Sequence, residues 1–272
     1  MAKKSFKTGF IGTGNMAEAI INAIINSKTA TPKSIFACDL NNDRINKVSR
    51  KYKINSCNTA KDIAATSDLI ILAVKPVNAE EAIRSIKDKV CSGKLIISIM
   101  TGISISKIQS LIGKKIPVAR VMPNTPALLG EGACAYSLSK EVKTPMRKQA
   151  EKILNTFCKV SIQVPEKSLN IVTALSGSGP AYFFYFAQAM LEYAKERGFD
   201  AKIASKLIGQ TIVGAGKLIL KSEDSPEILR QKVASKGGTT EKAITTMEDG
   251  GMSEIIKCAM AAAEKRAEEL GK

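Results

Sequence analysis

The chain has 272 residues, 44% of them hydrophobic, and its 41 Lys and Arg against 25 Asp and Glu give a formal net charge of +16. That length and apolar content suffice for a sizeable core and fit two domains better than one. With no histidine and six scattered cysteines, none in a C-x-x-C pair, the composition excludes a histidine-based catalytic dyad and argues against a Cys/His metal site, so no metal is expected.

Residues 2–5 are polar and no apolar stretch follows them, so no secretory signal is expected, and unbroken apolar runs such as 69–74 are far too short to span a bilayer. Cysteines without a pairing pattern read as small buried hydrophobes in a reducing compartment, and the chain is expected to be soluble and cytoplasmic. A strongly basic chain can bind nucleic acid or a membrane surface. Here the lysines are dispersed over helical faces, as in 140–152, with no long basic block and no interleaved aromatics. Neither partner is expected, and the charge helps instead to draw in an anionic cofactor and substrate.

Residues 7–11 (KTGFI) read as a strand, and 15–26 as a helix with apolar Met16, Ala19, Ile20, Ala23 and Ile24. Between them lies Gly12-Thr13-Gly14-Asn15-Met16-Ala17, a G-x-G-x-x-A run placed where a strand ends and a helix opens. The first glycine permits a tight turn, the second lets backbone approach a pyrophosphate, and Ala17 keeps helix close to strand, while the helix start offers free N–H groups to the phosphates. A second strand spans 34–38 and a helix follows through Tyr52. Asp39, at the end of that strand, sits about twenty residues past the glycine turn, where an acidic residue binds the ribose hydroxyls of NAD. The other reading is a solvated loop aspartate beside Arg44, and Asn41, Asn42 and Arg44 are also placed to fold around a phosphate. Asp39 leans the choice between NADPH and NADH toward NADH. Further strands are expected at 68–74, 94–99 and 117–122, with two late ones at 133–138 and 159–164. Most are continuous apolar runs, as in strands of a parallel sheet covered on both faces. Alternation of strand and helix predicts a doubly wound α/β domain over 1–164.

From 165 to 272 the chain reads as all helical, with helices at 169–174, 180–197, 201–221, 227–235, 240–248 and 253–270. Ser176-Gly177-Ser178-Gly179-Pro180-Ala181-Tyr182 is expected as a glycine turn feeding a helix whose first position is Pro180, with a row of unpaired N–H groups suited to a carboxylate, or else as a plain helix–helix turn. Lys236-Gly237-Gly238-Thr239-Thr240 is a second glycine turn before a helix, where Thr239 or Thr240 can cap the helix, contact substrate, or both. Residues 180–194 are apolar on too many faces for one small domain to cover, so a second subunit is expected to bury the surplus.

These motifs together resemble pyrroline-5-carboxylate reductases, over nearly the whole chain. The resemblance rests on the opening Gly9-Phe10-Ile11-Gly12-Thr13-Gly14-Asn15-Met16-Ala17, on Ala73-Val74-Lys75-Pro76, on Met122-Pro123-Asn124-Thr125-Pro126, on the Ser176 to Tyr182 run, and on Gly237-Gly238-Thr239-Thr240. It implies a Rossmann-type domain with a mainly parallel sheet, then an all-helical dimerisation domain, assembled as a homodimer or larger homo-oligomer. It also implies reduction of a cyclic imine carboxylate, 1-pyrroline-5-carboxylate, to L-proline, the last step of proline biosynthesis. The implied cofactor set is Gly12, Gly14, Asn15, Met16, Asp39, Asn58, Ala73, Val74, Lys75, Pro76 and Asn124. The implied substrate set is Ser176, Gly177, Ser178, Gly179, Gly237, Gly238 and Thr239, with the Thr240 hydroxyl reaching the imine nitrogen as the catalytic contact. Lys236 departs from the family, many members of which have proline there, Met100-Thr101-Gly102 replaces a more usual Ala-Ala-Gly or Ala-Gly, and Asp39 stands where NADPH-preferring members often carry small or polar residues.

Hydride transfer to a protonated imine needs little acid–base machinery, so lack of histidine is no obstacle, and positioning carries most of the catalysis. Two other readings compete with this one. A β-hydroxyacid dehydrogenase shares the two-domain plan but needs a proton-transfer lysine, and the corresponding positions here are Phe183 and Ala187. A non-catalytic dinucleotide-sensing repressor needs a basic recognition helix, and the helical half shows none with evident purpose.

Overall fold

The computed structural model describes residues 6–271; the polar stretch at 2–5 lies outside them. Eight strands form one sheet: β1 (Thr8–Ile11), β2 (Ile35–Cys38), β3 (Asn55–Ser56), β4 (Leu69–Leu72), β5 (Leu95–Ser98), β6 (Val118–Met122), β7 (Gly132–Leu138) and β8 (Cys158–Gln163). Their order is β3-β2-β1-β4-β5-β6-β7-β8, parallel throughout except where β7 runs antiparallel to β6. The connecting helices are α1 (Asn15–Asn26), α2 (Asn42–Tyr52), α3 (Ala60–Thr66), α4 (Ala79–Ile86), α5 (Ile105–Ile112) and α6 (Thr144–Phe157). β1, β2 and β4 to β8 fall where the hydrophobic runs predict them. The two-residue β3 is too short to leave a periodic signature in the sequence.

The apolar runs are continuous because both faces of the sheet are covered. Leu69 and Ile71 of β4 pack with Phe10, Ile20, Ile21 and Ile24 on one side, and Ile70 and Leu72 pack with Ile63, Ile83 and Ile108 on the other. All four β4 residues are fully buried, each contributing about 1.5–3 kcal/mol of transfer free energy. Helix starts follow their caps. The Asn41 side chain accepts the Arg44 N–H at the start of α2, and a reciprocal Thr59–Asp62 capping box opens α3.

The remaining helices are α7 (Leu169–Val172), α8 (Gly179–Glu196), α9 (Ala201–Lys221), α10 (Pro226–Val233), α11 (Thr239–Asp249) and α12 (Met252–Glu269). Strands end at Gln163, where the composition changes, but the chain divides into compact units further on: one comprises residues 1–178 and 263–272, the other 179–262. The helical unit buries little by itself. Of α8 only Gly179 is buried, of α9 only Ala204 and Ile208, and of α10 and α11 nothing. Tyr185 is 76% exposed and Leu220 73%. Among the described helices α9 alone is long and apolar enough, by length and composition, to cross a membrane. The unbroken runs considered in the sequence miss it because Lys206, Gln210 and Lys217 interrupt its apolar surface.

Candidate active site

In an open doubly wound sheet, ligands bind beyond the carboxyl ends of the strands at the point where strand order reverses. Here that point lies between β1 and β4, both of which pair in parallel along their full lengths, and the glycine turn follows β1. Gly12 has φ +94, and a Cβ there would stand 2.7 Å from the Ala73 carbonyl oxygen and 2.8 Å from its carbon. Only glycine fits, because the turn lies flat on the end of β4. At Gly14, by contrast, a Cβ would meet nothing within 4 Å, so this glycine leaves an open approach beside the start of α1. This pairing, one glycine packed and one facing open space, matches what a pyrophosphate requires of the turn.

Beside the turn is a cleft of about 300 Å³ whose lining includes Gly12, Asp39, Asn58, Val74, Asn78 and Glu81. The sequence-based cofactor set therefore gathers in part around one cavity. Asn15 is exposed at the head of α1, whereas Met16 packs against the core. Ala73 lies under Gly12, Lys75 is exposed, and Pro76 opens a short 3-10 turn. Asn124 is buried, and its Oδ1 accepts the Ala133 N–H at 2.9 Å, fastening the turn after β6 to β7.

Asp39 is not the free loop carboxylate that one reading of the sequence allowed. Its Oδ2 accepts the Thr13 N–H at 2.6 Å and the Thr13 hydroxyl at 2.8 Å, and its Oδ1 accepts the Asn41 N–H at 2.9 Å. Nor do Asn41 and Arg44 fold around an open anion site. The Asn41 side chain caps α2, and Arg44 Nε donates to the Thr13 carbonyl at 2.7 Å while its Nη2 pairs with Glu18. Burial alone would raise the Glu18 carboxyl. Bonds from Lys51 and Tyr52 and the charges of Arg44 and Lys51 outweigh that and hold it below its ordinary value. Cys38, also in the cleft lining, is pushed up to about 12 by burial with Cys57 and Asp39 nearby, so it stays a thiol and is no nucleophile. The sequence gives no signal for Glu81, Thr13 or Glu18, Thr13 being only the variable position of the glycine motif, and it points Arg44 at a phosphate rather than at Thr13 and Glu18.

The Ser176 to Gly179 run is not an open turn at a helix start. A π-helical turn, Thr173–Gly177, continues α7 toward α8, and the Ser178 N–H donates to the Thr173 carbonyl at 2.8 Å. Ser176 Oγ donates to the Val172 carbonyl, and α8 opens at Gly179, one residue before Pro180. The expected row of unpaired N–H groups is thus replaced by wide helical turns, a geometry frequent at functional sites. Gly177 lies against β6, where a Cβ would press on the flexible end of the Met122 side chain. Arg120, buried in β6, holds the same segment by bonding Glu166 and Asn170, each at 3.2 Å. The Met122 and Ser176 motifs, 54 residues apart in sequence, are in this way brought together.

In the helical unit, Gly237 has φ +75 and its N–H donates to Glu241 Oε2 at 2.6 Å. A Cβ at Gly238 would stand 2.9 Å from the Ser235 carbonyl oxygen, so the turn needs glycine twice. Gly238 is itself the N-cap of α11, and Thr239 and Thr240 occupy its first turn. Neither threonine caps the helix, which corrects that reading of the sequence.

The strand order, the packed and open glycines and the acidic residue ending β2 define a dinucleotide-binding oxidoreductase domain joined to a helical unit. A family model described as NADP oxidoreductase, coenzyme F420-dependent, matches residues 7–102, and one described as pyrroline-5-carboxylate reductase dimerisation matches residues 166–270. Pyrroline-5-carboxylate reductase 2 of Bacillus subtilis is 38% identical, covering 96% of this chain and 94% of its own, and the Arabidopsis thaliana enzyme is 33% identical, covering 98% and 96%. A pyrroline carboxylate reductase of Plasmodium falciparum, solved with NADP bound, superposes with a TM-score of 0.91 at 28% identity and full coverage of both chains. One from Coxiella burnetii gives 0.87 at 33% identity, covering 99% of this chain and 100% of that one. The chain belongs to the pyrroline-5-carboxylate reductase family and is an oxidoreductase of that family.

Proposed function

We propose that the protein reduces 1-pyrroline-5-carboxylate to L-proline, the last step of proline biosynthesis, with NADH as preferred donor. The observation that carries this reading is the switch-point glycine turn, in a chain that aligns end to end with pyrroline-5-carboxylate reductases. The dinucleotide, when bound, supplies the hydride. Gly12, Gly14 and Asn15 form the turn that receives its phosphates, Asp39, Asn58 and Val74 line the adjoining cleft, and Ala73, Lys75, Pro76 and Asn124 belong to the loops beyond β4 and β6. The wide helical turn at Ser176 to Gly179 and, in the helical unit, the Gly237, Gly238 and Thr239 turn are the proposed substrate-binding segments. The Thr240 hydroxyl orients the ring nitrogen. A protonated imine is electrophilic enough that holding it against the donor does most of the work. Oxidation of NADH or NADPH followed with 1-pyrroline-5-carboxylate, against a six-membered cyclic imine, tests the assignment; failure to oxidise either cofactor would overturn it.

Preference for NADH rests on charge. Despite the net +16, the cleft is lined by two carboxylates, Asp39 and Glu81, and by no lysine or arginine among the described residues. A 2′-phosphate brought there meets like charge and no counter-ion. Leu40 lines the same cleft and is 81% exposed, so Leu40→Arg supplies the missing cation without disturbing the core. Its kcat/KM for NADPH is expected to rise about tenfold, the worth of one charged hydrogen bond, with little change for NADH.

The helical unit is proposed to form a homodimer, the base of any larger assembly. Phe183 and Phe184 are 58% and 68% exposed, and both border an apolar depression between α8 and α9 that includes Ile208 and Val213. Apolar surface on this scale is rarely left open to water. The match of residues 166–270 to a dimerisation model supports protein rather than lipid as its cover. Sedimentation at low micromolar concentration is expected to show a dimer or larger species, and Phe184→Glu to shift it toward monomer. A stable, active wild-type monomer would refute the proposal. The six thiols, all free, fit a cytosolic location.

A further inference from the structure

The Thr13 residue between the two glycines is wholly buried, and all three of its polar groups are taken by charged side chains from the β2–α2 segment. Asp39 accepts from its N–H and its hydroxyl, and Arg44 Nε donates to its carbonyl. Both peptide planes flanking Thr13 are therefore held, and with them the direction of the backbone leading to Gly14. Arg44 is in turn held by Glu18, which also takes Lys51 Nζ at 2.8 Å and the Tyr52 hydroxyl at 3.1 Å. Glu18 lies in the first turn of α1, the end whose dipole favours an anion. An uncompensated carboxylate there would oppose a pyrophosphate, and Arg44 and Lys51 cancel it.

We propose that Arg44 is a positioning residue for dinucleotide binding, acting through the Thr13 carbonyl and the Glu18 carboxylate rather than as a ligand of the cofactor's 2′-phosphate. This rests on the dinucleotide-binding reading of the glycine turn. Arg44 has its Nε and Nη2 committed to the chain and its side chain is only 23% exposed. Removing it frees the Thr13 carbonyl and takes from Glu18 one of the two cations that balance it, leaving Lys51. Both effects act on the pyrophosphate, the part of the cofactor that NADH and NADPH share.

The test measures Kd for NADH and for NADPH by titration of nicotinamide fluorescence, alongside kcat, both KM values and Tm, for the full-length wild type, Arg44→Met, Arg44→Lys and Glu18→Gln. Arg44→Met is expected to raise both Kd values by about tenfold or more and by the same factor, as loss of a charged hydrogen bond implies. The substrate KM and kcat at saturating cofactor should stay near wild type. Arg44→Lys should recover part of the loss, since it restores charge beside Glu18 without the guanidinium geometry. Glu18→Gln should bind nearly as well as wild type, because Arg44 still reaches Thr13 and no negative charge is left to cover. Weakened NADPH binding with intact NADH binding would overturn the proposal by making Arg44 a phosphate ligand. A lowered Tm with unchanged Kd values would overturn it by making Arg44 merely structural. Should Arg44→Met not fold, equal losses for both cofactors in Arg44→Lys carry the same decision. A wild-type protein that binds neither dinucleotide would instead remove the reading on which the proposal stands.

Discussion

Gly12→Ala is expected to lose dinucleotide binding and to lower Tm together, whereas Gly14→Ala loses binding alone. At Gly12 the new methyl runs into the Ala73–Val74 peptide group: the Ala73 oxygen and carbon at 2.7 and 2.8 Å and the Val74 nitrogen at 3.0 Å. None of these can swing away as a side-chain end would, because the Ala73 N–H is itself bonded to the Ile11 carbonyl at 2.9 Å. Overpacking of this kind costs about 1–3 kcal/mol, and a left-handed φ adds about 1–2 kcal/mol for a residue with a Cβ. Against a total stability of roughly 5–15 kcal/mol, the sum is large. Gly14 sits at φ −59 and ψ −179 with open space around it, a conformation alanine adopts freely, so its Tm should hold or rise slightly. Its methyl would stand where a pyrophosphate needs bare backbone. Thermal melting and cofactor titration of both variants separate the two roles. Undiminished affinity in Gly14→Ala would contradict the placing of the phosphates at this turn.

Thr240→Val is expected to cut kcat/KM by roughly ten- to hundredfold, the worth of one hydrogen bond to a charged or developing centre at about 1.5–3 kcal/mol. The valine keeps the shape and removes only the donor, while Thr240→Ser keeps the donor and should retain most activity. A capping role would predict lower stability with turnover intact. Because Gly238 caps α11 and Thr240 lies inside its first turn, Tm is expected to change little in either variant. A fully active Thr240→Val protein at saturating cofactor would leave positioning to the Ser176 to Gly179 turn. The Gly237 N–H and the Glu241 carboxylate hold the turn before Thr240 from within, so its backbone should survive both substitutions.

Phe183 and Ala187, at the positions where a β-hydroxyacid dehydrogenase needs its lysine, border the apolar depression on α8 with Gln188 and Leu191. Neither position carries that lysine, in keeping with the chain's membership of the pyrroline-5-carboxylate reductase family.

The order of strands and helices was legible in the sequence because it is written locally. The Leu and Ile of β4 (LIIL) and of the first three positions of β5 (LIIS) announce strands covered on both faces. The glycine turn was legible for the same reason: its steric demands act on adjacent residues. So was the helical second half, whose surplus of apolar residues already pointed to a partner surface.

Tertiary structure alone decided the rest. Asp39 was identifiable as an acid at the end of a strand, but its commitment to Thr13 spans 26 residues and that of Arg44 to Thr13 spans 31. Arg120 reaches Glu166 across 46. Such pairs leave no periodic trace, since either partner alone reads as an ordinary surface charge. The antiparallel turn from β6 to β7, the π turn that replaces an expected loop at Ser176, and the return of residues 263–272 to the first unit are likewise settled by which backbones can approach. Gly102 shows the reason most plainly. It has φ +81, and a Cβ there would stand 2.7 Å from the Ala267 carbonyl oxygen. Sequence shows only that glycine is permitted to turn at such a position, whereas the requirement for it comes from a helix end arriving from the far end of the chain.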